Sequence, residues 1–385
     1  MNTLSNLKMP RAVCCGEGAL KKMPEILQAA SVKKVAVFTD KGIRSAGLLD
    51  PVLEQLQKSQ AAFCVLDDLP PEPSYGQVQK LVDACRAEGA DMILAVGGGS
   101  VMDAAKLASI VIGAEYGVRD LLKDPTIAKK YIKSLMIPTT CGTGSEATCN
   151  SIVAIPEEQS KQGIVNNCMI PDYVILDAEM IRHLPPKVLA ATGVDALAHV
   201  VECFTSKKAT ILSDTYGIEG AKKIFHNIRE AFVDGSDMDA KTEMLIGAFY
   251  GGVAITGSGT TAVHALSYPL GGKYHIAHGV SNAILFTHVM EFNKDACTDR
   301  LAALCDAVYP EKYAETADAK ADYIISEIKD VVEKVQIPTK LEEFGVKKED
   351  LDFLVKAGSQ QTRLLVNNCK ELSLDDIRFL YEKLF

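Results

Sequence analysis

DMILAVGGGSVMDAAK (91–106) decides the reading of the first half of the chain. The apolar run from Met92 to Val96 reads as a buried strand, and it passes straight into Gly97, Gly98, Gly99 and Ser100. VMDAAKLASIVIG then keeps helical periodicity. Glycine lets a backbone come close to a ligand, and the start of a helix offers free N–H groups and partial positive charge. A pyrophosphate suits such a turn. The pattern is not G-x-G-x-x-G, and no acidic residue closes a strand ~20 residues downstream, as the dinucleotide fingerprint requires. A tight strand-to-helix turn without a ligand therefore stays open as the alternative.

The flanking sequence repeats the alternation. KKVAVFTD (33–40), AAFCVLDDL (61–69), SLMIPTT (134–140) and YVILD (173–177) read as strands, while LLDPVLEQLQKS and GQVQKLVDACRAEGA between them read as helices. SIVAI (151–155) and QGIVNNCMI (162–170) read as a hairpin. Strands alternating with helices predict a parallel sheet covered on both faces. Ligands of such sheets sit beyond the carboxyl ends of the strands. Asp40 closes one strand there, where a carboxylate can accept bonds from ribose hydroxyls and repel a 2′-phosphate; the alternative is an N-cap for the next helix. PTTCGTGSEAT (138–148), rich in hydroxyls and glycine, is a third loop at such an end.

Beyond Leu184-Pro185-Pro186 the strand-like runs give way to helical periodicity, as in DALAHVVECFTS and KADYIISEIKDVVEKV. Prolines disfavour helix before them, so the boundary is set there: an α/β domain over 1–185 and a helical domain over 186–385. The second half offers a metal-ligand constellation, with ordinary helix-surface or capping histidines open as the alternative, since Asp-x-x-x-His spacing alone is common. Asp195 and His199 lie four apart on one helix face, and His264, His275, His278 and His288 follow. Asp195, His199, His264 and His278 supply one carboxylate and three imidazoles, a set suited to iron(II) or zinc. Their single formal negative charge leaves a divalent site net positive.

The 385 residues are too many for one hydrophobic core, which agrees with two domains. A net charge of −9 argues against broad nucleic-acid binding. Eleven cysteines, an odd number without Cys-x-x-Cys spacing, argue against a disulfide framework or a zinc ribbon and for a reducing cytoplasm. No apolar run is read as reaching the ~18–20 residues of a membrane span, and the N-terminus shows no secretory apolar region.

GGGSVMDAAK, PTTCGTGSEAT, LPPKVLAATGVDALAHVVE and AVHALSYPLGGKYHIAHGVSNAILFTHV, in this order, resemble the iron-containing alcohol dehydrogenase family over essentially the whole chain. The resemblance implies a dehydroquinate-synthase-like fold, with an N-terminal parallel-sheet NAD-binding domain and a C-terminal helical metal-binding domain. It implies Asp195, His199, His264 and His278 as ligands of Fe2+, with Zn2+ the alternative. It implies Asp40, Gly98, Gly99, Ser100, Asp103, Thr139, Thr140, Thr143 and Lys161 as contacts to NAD(H). It further implies a small alcohol or aldehyde as substrate and a homo-oligomer, dimer or larger.

The sequence departs from the family in places. The histidine that many members carry four residues beyond the third ligand is here Tyr268, and His275 stands three before the last ligand. A phenol, with an ordinary pKa of ~10, is a poor proton relay at neutral pH, which leaves His275 to orient substrate or pass its proton and Tyr268 to line the wall; the alternative is that His275 braces the loop and solvent supplies the proton. The bulky aromatic nine residues before the third ligand is here Ile255, followed by the small polar run TGSGTT (256–261), which leaves room for a polar or anionic substituent. The C-terminal Asn-Pro-Arg is here Asn368-Cys369-Lys370. The expected activity is NAD(H)-linked alcohol dehydrogenase or aldehyde reductase; a glycerol-type polyol dehydrogenase, a metal-dependent lyase on the same fold and a non-catalytic interaction protein that kept the fold are the rival readings.

Overall fold

A computed structural model describes residues 5–385. The chain forms two compact units. One comprises Lys8–Thr140 and Gly144–Leu184; the other comprises Cys141–Thr143 and Pro185–Phe385, with the first described residues up to Leu7.

In the first unit, β1 (Ala12–Cys15) and α1 (Met23–Ala29) precede β2 (Lys34–Phe38), α2 (Lys41–Ser45), α3 (Asp50–Ser59) and β3 (Ala62–Leu66). There follow α4 (Tyr75–Glu88), β4 (Met92–Gly97), α5 (Gly99–Val111), α6 (Val118–Lys123) and β5 (Lys133–Pro138). The hairpin β6 (Asn150–Ile155) and β7 (Ser160–Val165), then β8 (Tyr173–Leu176), complete it. Six strands pair in the order β1-β8-β5-β4-β2-β3, every neighbour parallel. The chain turns outward in both directions from the β2/β4 pair, so that pair is the topological switch point, where open parallel sheets hold their ligands. Alternate residues of the central strands, Val35, Val37, Leu94, Val96, Leu135 and Ile137, bury one face against Leu27, Val52 and Leu56 of the helices. Side-chain period two makes that face continuous across the sheet.

Two strand readings are corrected. β1 was not read from the sequence, because its four residues, Ala12 to Cys15, are partly exposed and too few to show a pattern; pairing with β8 makes them the sheet edge. QGIVNNCMI does not stay extended to Ile170. Asn166 accepts a bond from Cys168 N at 2.8 Å and opens a 3-10 turn at Asn167–Met169.

The helical unit consists of α7 (Pro186–Thr205), α8 (Ile211–Val233), α9 (Met238–Ser258), α10 (Ala262–Tyr274), α11 (His278–Val308), α12 (Ala317–Lys334), α13 (Leu351–Ser359), α14 (Thr362–Leu365) and α15 (Leu374–Glu382). Pro186 opens α7, where its missing N–H costs nothing. Contrary to the sequence reading, the twenty residues of α7 are long and apolar enough to span a membrane by composition. They are instead mostly buried within the protein and carry Asp195, His199 and Glu202 inward. α7 is the central helix of a core.

Glycines let the neighbours of α7 come close. A Cβ on Gly279, the second residue of α11, would stand 2.0 Å from the Ala191 carbonyl oxygen. A Cβ on Gly142 would stand 2.6 Å from Cβ of Thr192. All eleven cysteines are free thiols, as the composition led one to expect.

Candidate metal centre and nucleotide loops

The 3.6-residue period of α7 puts Asp195 and His199 on one buried face. α10 brings His264 to them. The ligand atoms of Asp195, His199 and His264 all lie within 4.8 Å of one another. Oδ1 of Asp195 is 3.9 Å from Nε2 of His199 and 3.5 Å from Nε2 of His264. The rings of His199 and His264 stack at 4.5 Å between centroids. His278, at the first turn of α11, aims Nε2 at the same carboxylate oxygen from 3.6 Å, with its side chain 30% exposed. All four sequence-derived ligand candidates thus face one point, three from inside and His278 from the rim.

Two further residues share the centre. Glu202, fully buried on α7, takes His264 Nδ1 on Oε2. Its Oε1 accepts from Thr261 N (3.2 Å), Thr261 Oγ1 (2.6 Å) and Val263 N (2.8 Å). Asn282, one turn after His278, sets Nδ2 2.7 Å from Oδ1 of Asp195, 3.1 Å from Nε2 of His264 and 3.4 Å from Nε2 of His278. Its Oδ1 is buried without a hydrogen-bond partner among the described residues. Sequence reasoning missed both. The signal for Glu202 was present: an acid three residues after His199 on the same face of an otherwise apolar helix.

Electrostatics favour a cation here. Burial opposes charge on Asp195, but the imidazoles of His199, His278 and His264 outweigh it and hold the carboxyl well below its usual range. Burial pushes His199 down to about 4, keeping its lone pair free for a metal. Burial also opposes charge on His264, and the carboxylates of Glu202 and Asp195 overrule it, raising it to about 9. A carboxylate and imidazoles converging in a dry site would be costly without a positive charge at their focus. The donor set and its convergence fit a divalent first-row metal. With Glu202 counted beside Asp195, the formal charge with a divalent ion is zero, not the net positive value that the four ligands alone predicted.

Tyr268 is buried one turn beyond His264, its ring centroid 6.1 Å from that of His278. His275 ends α10 in the left-handed region (φ 56°) and is exposed. It does not join the cluster. Three hydroxyls of TGSGTT are engaged by protein acceptors: Thr256 Oγ1 donates to Val253 O (2.8 Å), Ser258 Oγ to Ala254 O (3.1 Å) and Thr261 Oγ1 to Glu202 Oε1 (2.6 Å).

In the α/β unit, Asp40 ends the β2 loop and the glycine turn follows β4, so both lie at the switch point. Asp40 does cap α2, accepting from Ile43 N at 2.9 Å through Oδ1. The cap takes one carboxylate oxygen, and Oδ2 lies outside it. Gly97 is sterically required, since a Cβ there would meet Val101 at 2.7 Å. Gly98 precedes α5 with no side-chain cap, leaving the helix N-terminus open. Gly99 and Ser100 form its first turn, and Ser100 Oγ accepts from Glu72 N at 3.2 Å. Lys161 pairs with Glu72 at 2.6 Å. The buried Thr139 hydroxyl has no hydrogen-bond partner among the described residues, and Thr140 lies beside Gly98.

Two expected cofactor contacts stand apart. Asp103 turns both oxygens inward, to Ser145 Oγ (2.5 Å) and Lys106 Nζ (2.9 Å) on one side and Ile152 N (2.7 Å) on the other. Thr143, with Cys141 and Gly142, belongs to the helical unit, whereas Thr139, Thr140 and Gly144 belong to the sheet unit. The open helix start, the glycines and the orphaned Thr139 hydroxyl fit a dinucleotide pyrophosphate.

A parallel-sheet unit followed by a helical unit with a buried Asp/His/His cluster defines a dehydroquinate-synthase-like protein with a metal centre. Residues 10–178 match the family model for iron-containing alcohol dehydrogenase, and residues 189–385 match that for the family's C-terminal domain. The chain is 35% identical to long-chain-alcohol dehydrogenase 1 of Geobacillus thermodenitrificans, over 100% of this chain and 97% of that protein. The solved structure of a 1,3-propanediol oxidoreductase superposes with a TM-score of 0.95 at 27% identity, covering 100% of both chains. Sulfoacetaldehyde reductase from Bifidobacterium kashiwanohense, solved in complex with NAD+, gives 0.89 at 26% identity over 100% of this chain and 99% of that one. The chain belongs to the iron-containing alcohol dehydrogenase family, and its class of activity is that of an oxidoreductase acting on alcohols and aldehydes.

Proposed function

We propose that this protein interconverts a small primary alcohol and its aldehyde with NAD(H), using iron(II) held by Asp195, His199, His264 and His278. The observation that carries the reading is the dry cluster of Asp195, His199 and His264 on α7 and α10. When bound, the metal supplies Lewis acidity toward the carbonyl oxygen of the substrate. The chain supplies the rest. The open start of α5 receives the pyrophosphate, and the second oxygen of Asp40 accepts from the ribose. Lys161 and Ser100 add donors near the phosphates, Lys161 by exchanging Glu72 for a phosphate oxygen. Tyr268 packs beside His278 and excludes water. His275, exposed and three residues before His278, passes the proton to or from solvent. The enzyme works in the cytoplasm as a homo-oligomer, without membrane or nucleic acid.

The engaged hydroxyls of Thr256 and Ser258 weigh against an anion site in the 256–261 run, so the substrate reading narrows to uncharged alcohols and aldehydes. An NADH-oxidation screen over neutral and anionic small aldehydes, with iron(II) supplied anaerobically, tests this. Turnover of neutral aldehydes is expected. Higher kcat/KM for sulfonated or carboxylated aldehydes would overturn the narrowing, and no NADH oxidation with any aldehyde would overturn the redox reading. Zinc in place of iron in the same assay separates the two metals.

A further inference from the structure

Glu202 turns neither oxygen to the focus of the metal cluster. Its surroundings nonetheless specify a side chain with two acceptor oxygens. Four donors reach its two oxygens: the Thr261 amide, the Thr261 hydroxyl and the Val263 amide on Oε1, and His264 Nδ1 on Oε2. A glutamine has one acceptor oxygen. In either orientation its amide NH2 would face a donor, His264 on one side or two backbone N–H groups on the other. With His264 Nε2 turned to a metal, Nδ1 carries the ring proton, and a carboxylate, with two acceptor oxygens, accepts from all four; at this depth an unmatched donor is costly.

The same carboxylate closes the amino end of α10. Thr261 is the helix's N-cap and Val263 lies in its first turn, where N–H groups have no intrahelical partner. α10 has no side-chain cap of its own, and Glu202 supplies the cap from α7. The helix that Glu202 caps is the one that carries His264, so one group fixes both the position of the helix start and the rotation of the imidazole.

We infer that Glu202 is the positioning residue of the metal centre: it holds the His264 proton on Nδ1, presents Nε2 to the metal and supplies the second negative charge that neutralises a divalent ion. This rests on the metal reading given above. A hydrogen-bonded carboxylate behind a ligating histidine fixes its tautomer and raises its basicity, and loss of such a partner typically weakens metal binding 10–100-fold.

The test strips wild type, Glu202→Gln and Thr261→Val of metal and titrates each with Zn2+ against a chromophoric chelator, and with Co2+ followed by its ligand-field absorption. Thermal melting and NADH fluorescence monitor the fold. Glu202→Gln is expected to bind Zn2+ roughly 10–100-fold more weakly with an altered Co2+ spectrum, while NADH binding persists. Thr261→Val removes one donor but leaves the His264 contact, so it should lower the melting temperature and keep Zn2+ affinity within about threefold. A Glu202→Gln protein that matches wild type in affinity and spectrum overturns the inference. A wild type that fails to retain either metal overturns the metal reading itself. Should Glu202→Gln not fold, wild-type protein labelled with 15N-histidine and loaded with Zn2+ decides: it must show an exchange-protected Nδ1 proton that disappears in His264→Asn. Its absence overturns the inference without any Glu202 variant.

Discussion

Replacing Gly279 by alanine is the smallest change that should dismantle the metal centre without touching a ligand. The added Cβ would lie 2.0 Å from the carbonyl oxygen and 2.5 Å from the carbonyl carbon of Ala191 on α7. Ordinary nonbonded carbon separation is about 3.5 Å, so the start of α11 would have to retreat by about 1.5 Å. The obstacle is backbone and cannot rotate away. Overpacking of this kind costs typically 1–3 kcal/mol and sometimes more, and an immovable obstacle puts the cost at about 3 kcal/mol. For a unit of this size each kcal/mol shifts Tm by roughly 2–4 °C, giving a fall of roughly 6–12 °C. His278 is the residue next to Gly279. Metal–ligand distances tolerate about 0.2 Å, far less than the required retreat, so metal occupancy should fall with stability. Calorimetry and metal analysis of the purified variant make the test, with Gly217→Ala on α8 as control. There the nearest atoms are the Val200 carbonyl oxygen at 3.6 Å and Cβ of Phe204 at 3.9 Å, ordinary contacts that press on no ligand, and the effect should be small. A Gly279→Ala protein with wild-type Tm and full metal would refute the claim that this close approach sets the ligand geometry.

The Asp40→Gly variant should raise kcat/KM with NADPH relative to NADH, since the like charge beside a 2′-phosphate is gone, while stability falls by only a few tenths of a kcal/mol because glycine is tolerated at an N-cap. Wild-type protein that already uses both cofactors equally would remove Asp40 from the ribose. Burial raises the Glu146 carboxyl from 4.5 to about 7 despite the pull of Lys106. The group therefore favours the fold fully below pH 4.5, and that contribution is lost as pH rises toward 7, worth up to about 3 kcal/mol. Glu146→Gln should accordingly melt higher than wild type at pH 8 and gain little at pH 4.5; equal gains at both would show that the carboxyl is ionised throughout. His275→Ala, with metal content verified, should lose turnover and the neutral-pH inflection of its pH–rate profile. An unchanged profile would assign the proton to water.

The strands around the glycine turn were legible because fully buried parallel strands are continuous apolar runs, as in Met92–Val96. Asp195 and His199 were legible because a helix repeats its face every three to four residues. The same rule reaches Glu202, yet an acid on an apolar helix is ambiguous until the helix it caps is known, and the N-cap of that helix, Thr261, lies 59 residues later. Asp40 shows the converse. Its position permitted a cap or a ribose contact, and sequence could not say that the two oxygens allow both. Asp103 and Lys106 occupy one helical turn of α5, but only tertiary structure reveals that both brace the 145–152 segment. Gly279 carries no sequence signal of its own, since its need arises from the backbone of a helix more than eighty residues away.

The three residues Cys141–Thr143 bear on how such a protein can be inherited. They join the helical unit, while the chain on both sides of them belongs to the sheet unit. Gly142 is moulded to Thr192, leaving no room for a side chain. A single crossover near Leu184 between two diverged genes would therefore transplant a helical unit without the tripeptide fitted to it. Recombination should be tolerated only where donor and recipient agree at 141–143 and along the first turns of α7. The two units then evolve as a matched pair, and a chimera library scored for soluble expression would show that dependence directly.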